Sequence, residues 1–160
     1  MPASVSQFAR RGNLWARLRE AVDIFGLGRR SGLGMVGHAK MTWDFSVDGG
    51  GIATITPADS PVLPAGAIIL GGVIDIITTL TSGGAATIAL GLGSGAQVAS
   101  LKVATAVATY AAGLTVPLTE VFTGATYLKV AADTRMTLTV AAFALTAGKL
   151  SVNLVYLQGN

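Results

Sequence analysis

Cysteine is absent from the 160 residues, and histidine occurs once, at His38. The first absence excludes a disulfide framework, a thiol nucleophile and thiolate metal ligation. The second excludes a multi-histidine zinc site. Charge is the next scarcity: 12% of residues are charged, about half of the ~25% usual in a soluble domain. A monomer stays dissolved through a charged skin. A chain with 51% hydrophobic residues and a mean hydropathy of +0.62 is therefore expected to cover much of its surface with copies of itself or with a partner. The blander alternative is that small residues, 21 of them glycine, raise the hydropathy without forming sticky patches.

Long apolar runs are missing too. The strongest, Ala65 to Ile74, is broken by Gly71 and Gly72 and stopped by Asp75, whereas a membrane-spanning helix needs about 20 apolar residues in succession. No membrane span is expected. Arg10 and Arg11 are followed by no uninterrupted apolar segment, so a secretory signal is not expected either. The Arg-rich start resembles an organelle transit peptide, but Glu20 and Asp23 weaken that likeness.

Chemistry is equally thin. Gly91, Gly93 and Gly95 imitate part of a phosphate-binding loop, but no Lys-Ser/Thr pair follows and no βα crossover surrounds them. Asp44 and Asp48 fall on one face of a strand read over residues 40–48, where paired carboxylates could bind a cation or act as acid and base. The solvated side of an amphipathic strand is the simpler reading. Asp133 reads as a turn residue. There is no nucleophile elbow and no acid–base pair of familiar spacing, so no catalytic residue, cofactor or metal is expected, and the chain is read as a non-enzyme.

What is present is β pattern. Residues 65–93 read as two apolar arms joined in a hairpin at Ser82, Gly83 and Gly84, with Ile68, Ile69, Val73, Ile74, Ile76 and Ile77 in the first arm. Side chains branched at Cβ fit a pleated sheet, and a Gly pair suits a tight reversal. Asp75 is the hairpin's single ionisable residue. Met41, Trp43, Phe45 and Val47 alternate with polar residues and predict the strand over 40–48. Further strands are read over 52–56, within 97–110, and over 127–131, 136–143 and 149–158. Pro57–Gly66 reads as a rigid loop, 114–123 as a loop interrupted by Pro117, and Thr146–Gly148 as the turn before the last strand. About eight strands without βα alternation predict an all-β, antiparallel, jelly-roll-like β-sandwich. An immunoglobulin-like sandwich ranks second and a membrane barrel a distant third.

Charge divides the chain near residue 40. Residues 1–40 hold seven basic residues against Glu20 and Asp23, a net of +5, while the remaining 120 hold four basic against six acidic, a net of −2. The expected organisation is a basic N-terminal arm and Gly-rich tether over 1–39 and a sandwich domain over 40–160. Within the arm, Asn13 can cap a short helix with Leu14, Trp15, Leu18, Val22 and Phe25 close to one face. Such a helix is marginal alone and is expected to order by docking. The partner-binding candidates are Phe8, Arg10, Arg11, Trp15, Arg17, Arg19, Arg29 and Arg30, whose guanidinium groups suit carboxylates and whose rings fill pockets. Phosphates or an anionic membrane surface would attract the same charge, although nucleic acid is the weaker partner and a solvated tail the uneventful reading.

The run WDFSVDGGGIATITP, the proline loop, LPAGAIILGGVIDIITTLTSGGAATIALGLG and the terminal TAGKLSVNLVYL resemble a family of small tailed-bacteriophage virion proteins, the jelly-roll capsid decoration or cement proteins. The resemblance covers about residues 40–158 and leaves the arm outside. It implies a trimer on the outside of the icosahedral head, assembled in the host cytoplasm, bound to the major capsid protein and strengthening the shell against internal DNA pressure. Related sandwiches occur in head fibres and tails, so the alternative is a module that binds a host-surface glycan. That alternative requires an exposed aromatic platform, for which Trp43, Tyr110 and Tyr127 are the candidates.

Overall fold

The first strand shows how sequence becomes architecture. In a computed structural model that describes residues 36–94, 97–118 and 127–158, β1 runs over Val36–Asp44. Ala39, Met41 and Trp43 face inward and are buried, while His38 and Lys40 face water. The strand starts four residues before the predicted Lys40 and stops before the predicted Asp48. It stops because the Asp44 carboxylate accepts the Ser46 N–H at 2.9 Å and caps a single helical turn, α1 (Phe45–Asp48). A short acid that can cap competes with sheet pairing and here overrides the alternation of Phe45 and Val47.

Two four-position layers follow from the pairing. The first sheet has the order β1, β9 (Leu145–Leu157), β4 (Ile68–Ser82), β7 (Thr115–Pro117), all antiparallel. The second has the order β2 (Thr54–Ile55), β8 (Thr134–Ala141), β5 (Thr87–Leu92), β6 (Lys102–Ala106). A further piece, β3 (Val62–Leu63), pairs with β8 below β2. β2 and β3 occupy successive stretches of the same β8 edge, so the nine strands of the described residues fill eight positions. The layers face each other across one core, in the all-β jelly-roll arrangement expected.

The predicted hairpin is not a hairpin. β4 and β5 lie in opposite sheets, because both edges of β4 are taken by β9 and β7 while β5 is taken by β8 and β6. Each arm is central in its own layer, and their apolar faces, with Ile74 and Ile76 on one and Ile88 and Leu90 on the other, meet through the core. The connection over 83–86 carries the chain across the ~10 Å between the layers.

Smaller departures have equally local causes. β3 lies inside the predicted proline loop, between Pro61 and Pro64, and β7 ends on Pro117; both are edge strands, where a missing amide donor is tolerated. The expected turn at Thr146–Gly148 lies inside β9. Gly148, at φ +138°, accommodates irregular pairing with β4 there, and a Cβ on it would meet Leu80 at 2.9 Å. The real turn is at Ala142–Ala144. Residues 127–131 make a single bridge, Lys129 to Ile68, rather than a strand.

Candidate functional site

The eight arm residues singled out above, Phe8, Arg10, Arg11, Trp15, Arg17, Arg19, Arg29 and Arg30, and the short helix expected around them lie outside the described residues. The carboxylates of the body can be placed, and they hold backbone rather than ligand. Asp48 accepts the Asp44 N–H and the Ala58 N–H, each at 3.0 Å. Asp59 accepts the Thr42 N–H. Asp44 accepts the Ser46 hydroxyl at 2.6 Å and pairs with Lys149 at 3.0 Å. The Ser46 hydroxyl first, and then Lys149, hold the Asp44 carboxyl down at about 2. Asp44 and Asp48 are thus not two carboxylates on one strand face, because the chain turns between them. Among the described residues, no group of three or more His, Asp or Glu side chains could hold a metal ion.

The glycines of the 91–95 run are packing devices where they are described. A Cβ on Gly91 would fall 2.0 Å from the Gln97 carbonyl, so the following loop lies directly on β5. Beside it, residues 92–94, Gln97 and 130–134 line an open cleft of about 340 Å³. Its one charged group, Asp133, accepts the Ala65 N–H at 2.8 Å. The candidate glycan platform is not assembled: Trp43 and Tyr110 are buried, and of the three only Tyr127 is exposed. Trp43 donates its indole N–H to the Gly49 carbonyl at 3.0 Å, tying β1 to the turn after α1. Burial pushes the Tyr110 phenol up. The Thr105 hydroxyl partly counters that shift but falls short of hydrogen-bonding geometry and donates instead to the Val103 carbonyl at 2.9 Å. Asp75 is exposed on the outer face of β4, opposite Ser151 on β9.

One end of the sandwich was not singled out from sequence. The connections over 45–53, 83–86, 107–114 and 142–144 all cross between the sheets there. Val47, Ile52 and Phe143 project from it. Phe143 follows a three-residue turn in which its N–H donates to the Ala141 carbonyl at 2.9 Å, with Ala142 at φ +69°. A γ-turn of this sign is rare and strained in a residue that has a Cβ. The legible signal was the near absence of charge from four widely separated loops, which only the topology brings together.

No protein-family model matches the chain, and no curated protein matches it in sequence. Solved structures do match in fold. A chain of the acid-stable capsid of Helicobacter pylori bacteriophage KHP30 aligns with 79% of this chain and 90% of its own length, at a TM-score of 0.53 and 11% identity. One in the cyanophage Pam1 capsid asymmetric unit covers 81% and 90%, at 0.50 and 26%. One in the capsid of Ralstonia phage GP4 covers 82% and 88%, at 0.53 and 22%. The fold is a phage-capsid-related one.

Proposed function

We propose that this chain is a non-enzymatic structural protein of a bacteriophage virion. In this reading it decorates and stabilises the outer surface of the capsid as a homotrimer, assembled in the host cytoplasm and anchored to the major capsid protein by residues 1–39. The observation that carries the reading is the match of about four-fifths of the chain to chains of three phage capsids, with 88–90% of each of those chains covered. The body agrees with it physically. The described carboxylates Asp44, Asp48 and Asp59 are committed to backbone amides, and charge is scarce enough to favour burial of surface in an assembly. The glycan-binding alternative loses two of its three candidate aromatics to the core.

Co-sedimentation of the purified chain with undecorated phage shells, followed by electron cryomicroscopy of the particles, tests this. Saturable binding at symmetry-related outer positions is expected. Replacing Arg10, Arg11, Arg17 and Arg19 with alanine should weaken attachment while leaving the melting of the sandwich unchanged. A monomer that binds no shell would overturn the proposal. Attachment that survives those replacements at raised salt would move the contact from the arm to the sandwich.

A further inference from the structure

We infer that the loop end centred on Phe143 is the surface through which one copy of this chain binds another. The inference deepens the self-association in the preceding reading by naming the residues that meet. It does not require that the assembly sit on a capsid.

Three features of this end point the same way. The first is exposed apolar area held in place. Val47, Ile52 and Phe143 are 72%, 61% and 47% exposed, and the loops that carry them are joined by the Leu145 N–H donating to the Gly50 carbonyl at 2.8 Å. The Phe143 ring packs on Gly84, where a Cβ would come within 2.8 Å of it. The ring is therefore braced from the 83–86 loop while its other side faces water. A preorganised aromatic in an apolar surround is the usual centre of a protein interface, because little side-chain freedom remains to be lost on binding.

The second feature is strain. A γ-turn with Ala142 at φ +69° aims Phe143 outward, and glycine, which would adopt this backbone freely, is absent from the position. Strained backbone retained at one point on a surface marks a place where geometry serves something other than folding.

The third feature selects the occupant. In the loops over 45–53, 83–86, 107–114 and 142–144, Asp48 is the one side chain charged at neutral pH, and its two oxygens are held by the Asp44 and Ala58 amides. Where identical surfaces meet about a symmetry axis, groups close to the axis face their own copies, so a charge there opposes self-pairing and an uncharged end does not. The other described faces carry such charges: Lys40 and Asp75 on the outer side of the first sheet, Arg135 on the second, Lys129 and Asp133 at the opposite end. This end fits a second copy of itself, in a contact that buries the Phe143 rings.

The test uses the full chain in sedimentation velocity at micromolar concentration, with shell binding measured in parallel. Phe143→Asp and Ile52→Asp should each weaken self-association about tenfold or more, the equivalent of roughly 1.4 kcal/mol, without moving the circular dichroism melt. Val62→Asp, at an apolar position 51% exposed on the edge strand β3, should leave association as it was. Should Phe143→Asp fail to fold, Phe143→Ala combined with Ile52→Ala reads the same contact without a buried charge. The inference is overturned if the parent is monomeric, if folded variants associate like the parent, or if Val62→Asp dissociates the assembly equally. It is also overturned if the variants keep the parent mass and lose only shell binding, which would assign the surface to the shell protein. Dissociation by Phe143→Asp in a chain that binds no shell would support the inference and sink the capsid reading alone.

Discussion

Thr42 donates its backbone N–H to both carboxylate oxygens of Asp59, at 2.9 and 3.1 Å, across the outer edge of β1. Two residues along, the Asp44 N–H donates to one carboxylate oxygen of Asp48 at 3.0 Å. An edge strand with free amides is a template for pairing with other chains, and loop carboxylates here occupy two of those amides. Asp59→Ala should lower stability by about 1 kcal/mol, the net worth of a typical hydrogen bond, read as a lower urea midpoint. It should also raise thioflavin-positive aggregation on mild heating. Unchanged aggregation would show that the proline loop protects this edge by bulk alone.

Acid should loosen the β1 to α1 junction in a defined window. The Asp44 carboxyl titrates at about 2 rather than 3.8, chiefly because it accepts the Ser46 hydroxyl and then because of Lys149. The folded value lies below the unfolded one, so this contribution is complete above roughly pH 4 and disappears as pH falls through about 2. A carboxyl-detected NMR titration should place Asp44 well below the ordinary aspartate value of 3.8. Ser46→Ala should raise the Asp44 midpoint and flatten the loss of α1 amide protection over the same pH range. An unmoved midpoint would mean that Lys149 and the Ser46 backbone amide set it.

How far the fold was legible depended on the range of the interaction deciding each element. Leu150, Val152 and Leu154 alternate with Ser151 and Asn153, and one face of β9 is buried as that pattern requires. Side-chain period is local information. Asp44 capping α1 was also local, but two sequence rules conflicted there and the capping hydrogen bonds won over the alternation. Whether β4 pairs with β5 was not local at all, since β9, some 70 residues later, takes the β4 edge that a hairpin would have used. The uncharged loop end was invisible for the same reason: its loops span residues 45 to 144 and become one surface only through the crossing order of the strands. The arm candidates rested on charge and spacing alone, and the described body adds nothing to them.

Two glycines should separate packing from chain flexibility. A Cβ on Gly91 would meet the Gln97 carbonyl at 2.0 Å, and one on Gly72 the Asn153 carbonyl at 2.3 Å, both rigid backbone. Gly91→Ala and Gly72→Ala should each cost about 1–3 kcal/mol or more, as overpacking does. Gly51 has nothing within 4 Å of such a Cβ and no left-handed φ. Gly51→Ala should therefore be neutral or stabilise by about 0.4–1 kcal/mol through the unfolded chain. Chemical denaturation of the three variants checks the order, and a Gly91→Ala protein as stable as the parent would show that the 97–101 loop can lift from β5.

The turn at Ala142 offers a test in which a single methyl group separates stability from surface geometry. Ala142 sits at φ +69° while its neighbour Phe143 closes the γ-turn onto Ala141. Such a conformation costs a residue with a Cβ about 1–3 kcal/mol, and glycine removes most of that cost while adding up to about 1 kcal/mol of entropy to the unfolded chain. Ala142→Gly should therefore stabilise the sandwich by roughly 1 kcal/mol in a urea titration, with the slope of the transition unchanged. Because glycine permits the same turn without enforcing it, the Phe143 ring should gain freedom, visible as a weaker chemical-shift effect of the ring on Gly84. A variant less stable than the parent would mean that the γ-turn is held by favourable contacts of the Ala142 methyl group rather than endured as strain.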